Sequence, residues 1–127
     1  MDDMKEQLFM RRIKYISGLE QDSEEVNIIF EDGSSLYQYH ESDCCESVAV
    51  HQVDGNPSAH IGATAIDLIE KCRAASRDEV DESGTWTFYT LKTSKGYLDW
   101  RWLGESNGYY SEHVTSEFHE PNQTQGN

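Results

Sequence analysis

The chain has 127 residues, a length typical of one domain with a single hydrophobic core. Its 10 Lys and Arg and 24 Asp and Glu give a formal net charge of −14. A protein this acidic is disfavoured as a binder of nucleic acid or of an anionic membrane, because both are recognised through Lys and Arg at their phosphates. No apolar run is long enough to span a bilayer and no N-terminal signal segment is visible, which predicts a cytoplasmic protein.

The acidic residues are concentrated before residue 71. Between Lys14 and Lys71 there is no Lys or Arg, while twelve Asp and Glu occur. We expect this stretch to form an anionic surface that attracts a basic protein surface, and the alternative is that it only keeps the protein soluble. The residues predicted to form this acidic surface are Glu20, Asp22, Glu24, Glu25, Glu31, Asp32 and Glu41.

The pattern of the first half of the chain predicts mostly strands. Residues 1–10 carry acids early and apolar groups late, which predicts a helical or flexible N-terminal segment. Alternation predicts a strand over 12–19. Asp32-Gly33 predicts a tight hairpin turn, with both residues at positive φ, between the strands VNIIFE and SLYQYH. The run ESVAVHQV predicts a further strand that ends in a loop at 54–57.

The segment ATAIDLIEKCRAA has the pattern of a helix. Ala65, Leu68, Ile69 and Cys72 follow the i, i+3, i+4, i+7 spacing of an apolar helical face. The charged stretch SRDEVDESG after it predicts a loop.

The last third carries the strongest strand signal. TWTFYTLKT, GYLDWRWLG and YYSEHVTSEF are separated by Lys95-Gly96 and Asn107-Gly108, which predict hairpins. This aromatic block is expected to form the central sheet, and the polar residues 119–127 a disordered tail. The prediction is a mainly β (α+β) single domain over residues 11–118, with about six to eight mostly antiparallel strands and one or two short helices.

The stretch YHESDCCESVAV is the first candidate site. Imidazole, carboxylate and thiolate groups are all competent zinc ligands, but adjacent thiolates rarely reach one tetrahedral ion and no second ligand pair follows. We therefore predict no metal and no cofactor. The candidate residues of this segment are His40, Asp43, Cys44, Cys45 and Glu46.

Two other interpretations of this stretch remain. A nucleophilic cysteine with His40 as its base is disfavoured, because the carboxylates around it oppose a thiolate. The favoured interpretation is a corner between two strands, in which Ser42 or Asp43 binds backbone amides and one cysteine packs as a small buried apolar group. Three cysteines, two of them adjacent, predict no disulfide framework.

The stretch WRWLGESNGYYSE is the second candidate. Alternation puts Trp100 and Trp102 on the core face and Arg101 on the other, where it is expected to pair with an acid of its own strand or across the hairpin. The acids on either side of the NG turn resemble the two carboxylates of a glycosidase, although exposed hairpin acids are the simpler interpretation. The candidate residues here are Arg101, Glu105, Asn107, Tyr109, Tyr110 and Glu112.

Three pieces of the chain resemble, in order, a family of small uncharacterised bacteriophage and prophage proteins. They are YHESDCCESVAV, IGA at 61–63 and DESGTWTFYTLKTSKGYLDWRWLGESNGYYSE, with the DCCE and GESNGYYSE-like motifs the most distinctive. Leu103 stands where the family usually has tyrosine. The resemblance implies a phage origin and offers no catalytic residues. It also implies a strand from about Ala63 to Ile69, in competition with the helix.

The sequence as a whole predicts a small acidic accessory protein of phage type. We expect it to be non-enzymatic and to bind and modulate a host protein, in host takeover or anti-defence, by presenting its anionic surface to a basic nucleic-acid-binding groove. The alternatives are a small-ligand or metal-binding module, or an enzyme, centred on residues 40–46, and a phage structural or assembly component. No direct nucleic-acid or membrane partner is expected, and the oligomeric state is left open.

Overall fold

The computed structural model describes residues 10–121, and in this range the chain forms eight strands and one 3-10 turn. The predicted N-terminal segment and tail lie almost wholly outside these residues, although the last strand reaches His119. The prediction of a single, mainly antiparallel β domain is confirmed. The elements are β1 (Arg11–Ser17), β2 (Glu25–Phe30), β3 (Ser35–Tyr39), β4 (Ser47–Asp54), the 3-10 turn (Pro57–His60), β5 (Thr64–Ala74), β6 (Ser83–Thr93), β7 (Gly96–Ser106) and β8 (Thr115–His119).

The strands form one sheet in the order β4-β7-β6-β5-β1-β2-β3-β8, and every pairing is antiparallel. Strand β1 pairs with β5 only through Arg11 and Arg12, and with β2 over most of its length. The sheet bends at β1, which pairs with strands of both halves. The bend is evident from Gln38 of β3, which contacts Trp100 and Trp102 of β7, a strand far from β3 in strand order. The long half (β4, β7, β6 and β5) therefore packs on the short half (β1, β2, β3 and β8).

The core lies between these two halves. Trp102, Tyr89 and Phe30 are the largest fully buried side chains. One polar side chain, Gln38 of β3, is also fully buried there, and its Oε1 accepts hydrogen bonds from Nε1 of Trp100 at 3.0 Å and of Trp102 at 3.4 Å. A single amide thus satisfies two indole N–H groups that have no access to water.

Two of the predicted hairpins are present. The β2–β3 turn is as predicted, except that only Gly33 has a positive φ, of 91°. The side chain of Asp32 instead accepts from the backbone N–H of Ser34 at 2.9 Å, as an Asx turn does. The β6–β7 hairpin at Lys95-Gly96 is also confirmed.

The predicted Asn107-Gly108 hairpin is wrong. Strand β7 already pairs with β6 on one side and β4 on the other, so it has no free edge for the segment that follows it. The chain crosses instead to the opposite end of the sheet, where β8 pairs with β3. Asn107 closes a local turn by accepting from the N–H of Tyr109 at 3.0 Å.

The helix predicted from residues 65–72 is also wrong, and the strand implied by the family resemblance is present as β5. The register with β6 shifts between Ala65 and Asp67, so a bulge there turns both Ala65 and Leu68 toward the core. Buried residues three apart therefore imitate a helical face. Ile69 and Cys72, which completed the helical pattern, are exposed. No helix in residues 10–121 is long and apolar enough to cross a membrane.

Candidate functional site

The β3–β4 loop, residues 40–46, separates two surface grooves. The tyrosine groove, of about 280 Å³, is lined by Glu24, Glu25, Tyr37, Tyr39, His40, Ser42, Glu46, Ser47 and Val48. The cysteine groove, of about 440 Å³, is lined by Cys45, Ser47, Asp81, Glu82, Ser83, Glu105, Ser106 and Asn107. Since His40, Ser42 and Glu46 line the first groove and Cys45 lines the second, the loop forms the wall between them. It brings together residues from four separate stretches of the sequence.

The loop is held by the buried carboxylate of Glu46. Its Oε2 accepts from the backbone N–H of Asp43 and from Nε2 of His40, both at 2.8 Å, and its Oε1 accepts from the N–H of Cys44 at 3.0 Å. Nδ1 of His40 donates to the carbonyl oxygen of His113 at 2.8 Å. The predicted corner between two strands is thus present, but Glu46 binds the amides there and not the predicted Ser42 or Asp43.

The hydrogen bonds of this network stabilise the ionised form of Glu46. Both ring nitrogens of His40 face oxygen acceptors. The amide of Asp43, then His40 and the amide of Cys44, lower the pKa of Glu46 to about 2 from its usual value of 4.5. The carboxylate is therefore ionised over the physiological range and keeps the loop in one conformation.

Glu46→Gln is expected to flatten the acid limb of the stability profile. A carboxyl group whose pKa is lower in the folded than in the unfolded chain stabilises the fold above pH 4.5, and that stabilisation is lost as the pH falls toward about 2. Urea unfolding of both proteins at several pH values in that window measures it. Glu41→Gln, at an exposed neighbouring position, serves as the control and should keep the wild-type profile. Identical profiles for Glu46→Gln and wild type would contradict the network.

Both cysteines of the loop are exposed, so the prediction that one is buried as an apolar group is wrong. Cys44 and Cys45 form a disulfide between adjacent residues. This bond joins no two elements of the fold and is not a disulfide framework. Within residues 10–121 the remaining cysteine, Cys72, is free and exposed on β5.

In this loop the imidazole of His40 and the carboxylate of Glu46 are bonded to other protein groups. Among the described residues, no group of three or more His, Cys, Asp or Glu side chains is arranged to hold a metal ion. Both ring nitrogens of His40 are hydrogen-bonded to oxygen atoms, and both carboxylate oxygens of Glu46 accept hydrogen bonds from N–H donors.

The fold separates the residues of the second candidate site, the stretch WRWLGESNGYYSE. Glu105 is exposed on the cysteine groove, whereas Glu112 is buried and accepts from the hydroxyls of Thr85 at 2.8 Å and Ser106 at 2.5 Å. Burial raises the pKa of Glu112, but these hydrogen bonds, another from Ser83 and the charge of His113 outweigh it and lower the pKa. The two acids do not face one groove as a glycosidase pair would.

Arg101 lies away from the grooves, on the outer face of β7. Its guanidinium donates to Oε1 of Gln52 at 2.7 Å and lies 4.9 Å from the ring centroid of Trp86. The predicted pairing across the hairpin fails because that hairpin does not exist. Tyr109 is 83% exposed and contacts the half-buried Tyr110 edge to face, in the segment between β7 and β8.

The predicted acidic surface is split between two parts of the molecule. Glu31 and Asp32 lie at the β2–β3 turn, beside Arg12 and Arg11 respectively. Some of the acids at the grooves belong to the predicted set. Asp43 and Glu105 come from the two candidate stretches, and the others from the β5–β6 loop, where a run of charged residues in the sequence could have indicated them. We define the acidic loop cluster as the exposed carboxylates on or between the two grooves, Glu24, Glu25, Glu41, Asp43, Asp81, Glu82 and Glu105.

The comparisons with known proteins gave one match. The profile of a protein family described as a domain of unknown function (DUF7448) matches residues 6–116, which is most of the chain. No curated protein and no solved structure matches.

Proposed function

We propose that this chain, which belongs to the DUF7448 family of domains of unknown function, binds a basic surface of another protein. It does so through its acidic loop cluster. The interaction is non-enzymatic. Its partner is a host protein, with the chain acting as a bacteriophage accessory protein, in keeping with the phage resemblance of YHESDCCESVAV and GESNGYYSE.

The observation that carries this proposal is the arrangement of charge around the two grooves. Seven exposed carboxylates line the grooves or lie on the loop between them, and no Lys or Arg lines either groove. At physiological salt the Debye length is about 8 Å, so carboxylates on the two sides of one groove act together on an approaching cation. Such a concave surface of one sign raises the rate of encounter with a basic partner.

The backbone holds this charge in place. Strand β4 is bonded to the β1–β2 loop through the N–H of Asp22 to the carbonyl of Val50 at 2.7 Å, and the N–H of Val50 to the carbonyl of Ser23 at 2.8 Å. Together with the anchor at Glu46, these bonds prevent the loops from moving apart to relieve repulsion between their carboxylates. A partner that supplies Lys and Arg side chains relieves that repulsion, and this favours binding.

The experiment compares two triple variants that remove equal charge. Glu24→Gln/Glu41→Gln/Glu82→Gln neutralises three carboxylates of the cluster, and Glu31→Gln/Asp54→Asn/Glu120→Gln neutralises three exposed or half-buried carboxylates elsewhere. Each immobilised protein is incubated with nuclease-treated bacterial lysate at about 50 mM and about 500 mM salt. We expect wild type and the second variant to retain the same basic protein at low salt and release it at high salt, and the cluster variant to retain about tenfold less.

Two results would count against this function. Equal losses by both triple variants would show that only net charge matters, and retention that does not respond to salt would show that apolar contacts dominate. Presence of the chain in purified virions would favour instead the structural or assembly role.

A further inference from the structure

We propose that Cys44 and Cys45 form a reversible thiol–disulfide exchange site whose reaction partners are selected by the charge of the acidic loop cluster. The chemical class of its partner is a neutral or cationic thiol, or a dithiol on a basic protein surface. This site is independent of the proposed binding function, because its chemistry needs no bound protein.

The disulfide is open to attack from solvent. Both residues are exposed, and Cys45 lines the cysteine groove, opposite Asp81, Glu82 and Glu105. In an exchange reaction a thiolate must reach a disulfide sulfur. A disulfide exposed at a groove can be reached in this way, whereas a buried one cannot.

The backbone on which the two cysteines lie is anchored without the sulfur atoms. Glu46 binds the amides of Asp43 and Cys44, and His40 binds both Glu46 and the carbonyl of His113. When the disulfide is reduced, these bonds still hold the turn, and the two thiols stay on adjacent residues. Closure is then an intramolecular step between side chains on adjacent residues, so the disulfide can form again after reduction.

The surrounding carboxylates decide which thiols approach. An attacking thiolate carries negative charge, and the exposed Asp43, Asp81, Glu82 and Glu105 repel it unless the same molecule carries a compensating cation. An anionic thiol of the glutathione type is therefore slow here, and a thiol with an ammonium group is fast. Salt weakens both effects, since these groups are exposed.

The reaction balances with a dithiol reductant. One thiolate of the reductant attacks one cysteine sulfur and forms a mixed disulfide, while the other cysteine leaves as a thiolate and takes up a proton. The second thiol of the reductant, as its thiolate, then displaces the protein sulfur. The protein gains two electrons and two protons, and the reductant becomes a disulfide.

The test uses the Cys72→Ser variant, which removes the exposed free cysteine on β5 and leaves one pair among the described residues. The air-oxidised protein is treated with cysteamine, 2-mercaptoethanol or 3-mercaptopropionate at equal thiolate concentrations, and free thiols are alkylated and counted by mass spectrometry. Each rate is divided by the rate of the same thiol with a small uncharged disulfide, because thiolates of different pKa differ in intrinsic nucleophilicity. At about 20 mM ionic strength we expect this relative rate to be roughly tenfold higher for cysteamine than for 3-mercaptopropionate, with the neutral thiol between them. At about 0.5 M the difference should fall below about threefold.

Two further variants assign the selection to the groove. Asp81→Asn/Glu82→Gln/Glu105→Gln should reduce the difference between the thiols at low salt, and Glu31→Gln/Asp54→Asn/Glu120→Gln should preserve it. If Cys44 and Cys45 stay alkylatable after air oxidation, the exchange site is overturned. If the disulfide forms but the three thiols show the same rate relative to the uncharged disulfide, the charge selection is overturned. Neither result depends on whether the chain captures a basic protein.

Discussion

Replacing Trp102 by alanine is expected to lower the free energy of unfolding by about 3–5 kcal/mol. Its side chain is fully buried and is among the largest in the core. It lies on β7 and reaches Gln38 of β3, so it packs at the contact between the long and short halves of the sheet. Removing the indole leaves a cavity there that the surrounding strands, tied into their ladders, can fill only in part. Urea unfolding followed by far-UV circular dichroism measures the loss.

Tyr97→Ala is the matched control for this change. Tyr97 is an aromatic residue on the same strand but is 59% exposed. Its replacement should cost less than about 1 kcal/mol, because exposed side chains contribute little packing. Similar losses for Trp102→Ala and Tyr97→Ala would mean that the two halves of the sheet do not pack as described.

Replacing Gln38 by leucine is expected to cost about 2–4 kcal/mol, although leucine is the more apolar side chain. Oε1 of Gln38 accepts from both buried indoles, and its Nε2 donates to Oγ of Ser116 on β8 at 3.0 Å. Leucine cannot accept a hydrogen bond, so Nε1 of Trp100 and of Trp102 would stay buried without partners. The penalty for two unsatisfied donors outweighs the gain from burying apolar surface.

The effect of the lost hydrogen bonds on stability can be separated from the effect of the changed side-chain shape. Trp100→Phe removes one of the two donors, so Gln38→Leu should cost less when it is made in a Trp100→Phe background than in wild type. Gln21→Leu, at an exposed position between β1 and β2, should change the unfolding free energy by less than about 0.5 kcal/mol. Strict additivity of Gln38→Leu and Trp100→Phe would contradict the shared hydrogen bond.

The Gln38 network also connects the core to the grooves. Its bond to Ser116 holds β8, and the segment just before β8 contains His113, whose carbonyl accepts from His40. Loosening β8 should therefore weaken the support of the β3–β4 loop. We expect Gln38→Leu to increase amide hydrogen exchange at residues 40–46 as well as in β8, while Gln21→Leu leaves both unchanged.

Strands with an unbroken alternation were predictable from the sequence. The hairpin at Asp32-Gly33 and the strands around Lys95-Gly96 are set by the local conformational preferences of turn residues and by side-chain alternation, so neighbouring residues suffice to indicate them. Strand β5 was not predictable in this way, because a bulge spaced its buried residues as in a helix. The NG turn was misleading for another reason: whether a turn joins paired strands depends on whether the first strand has a free edge.

The candidate site was likewise only partly predictable from the sequence. The residues of YHESDCCESVAV were evident as a cluster, and their position between two strands followed from the local pattern. The role of Glu46 was not evident, since a carboxylate becomes an anchor only where the fold buries it beside amides and an imidazole. Composition established that the protein is strongly anionic, and side-chain alternation with the turn residues predicted one β-rich domain, because charge and alternation are properties of the chain itself. Which carboxylates face a common groove was decided by the folding of the sheet onto itself, because contacts between loops distant in sequence exist only after the two halves have packed.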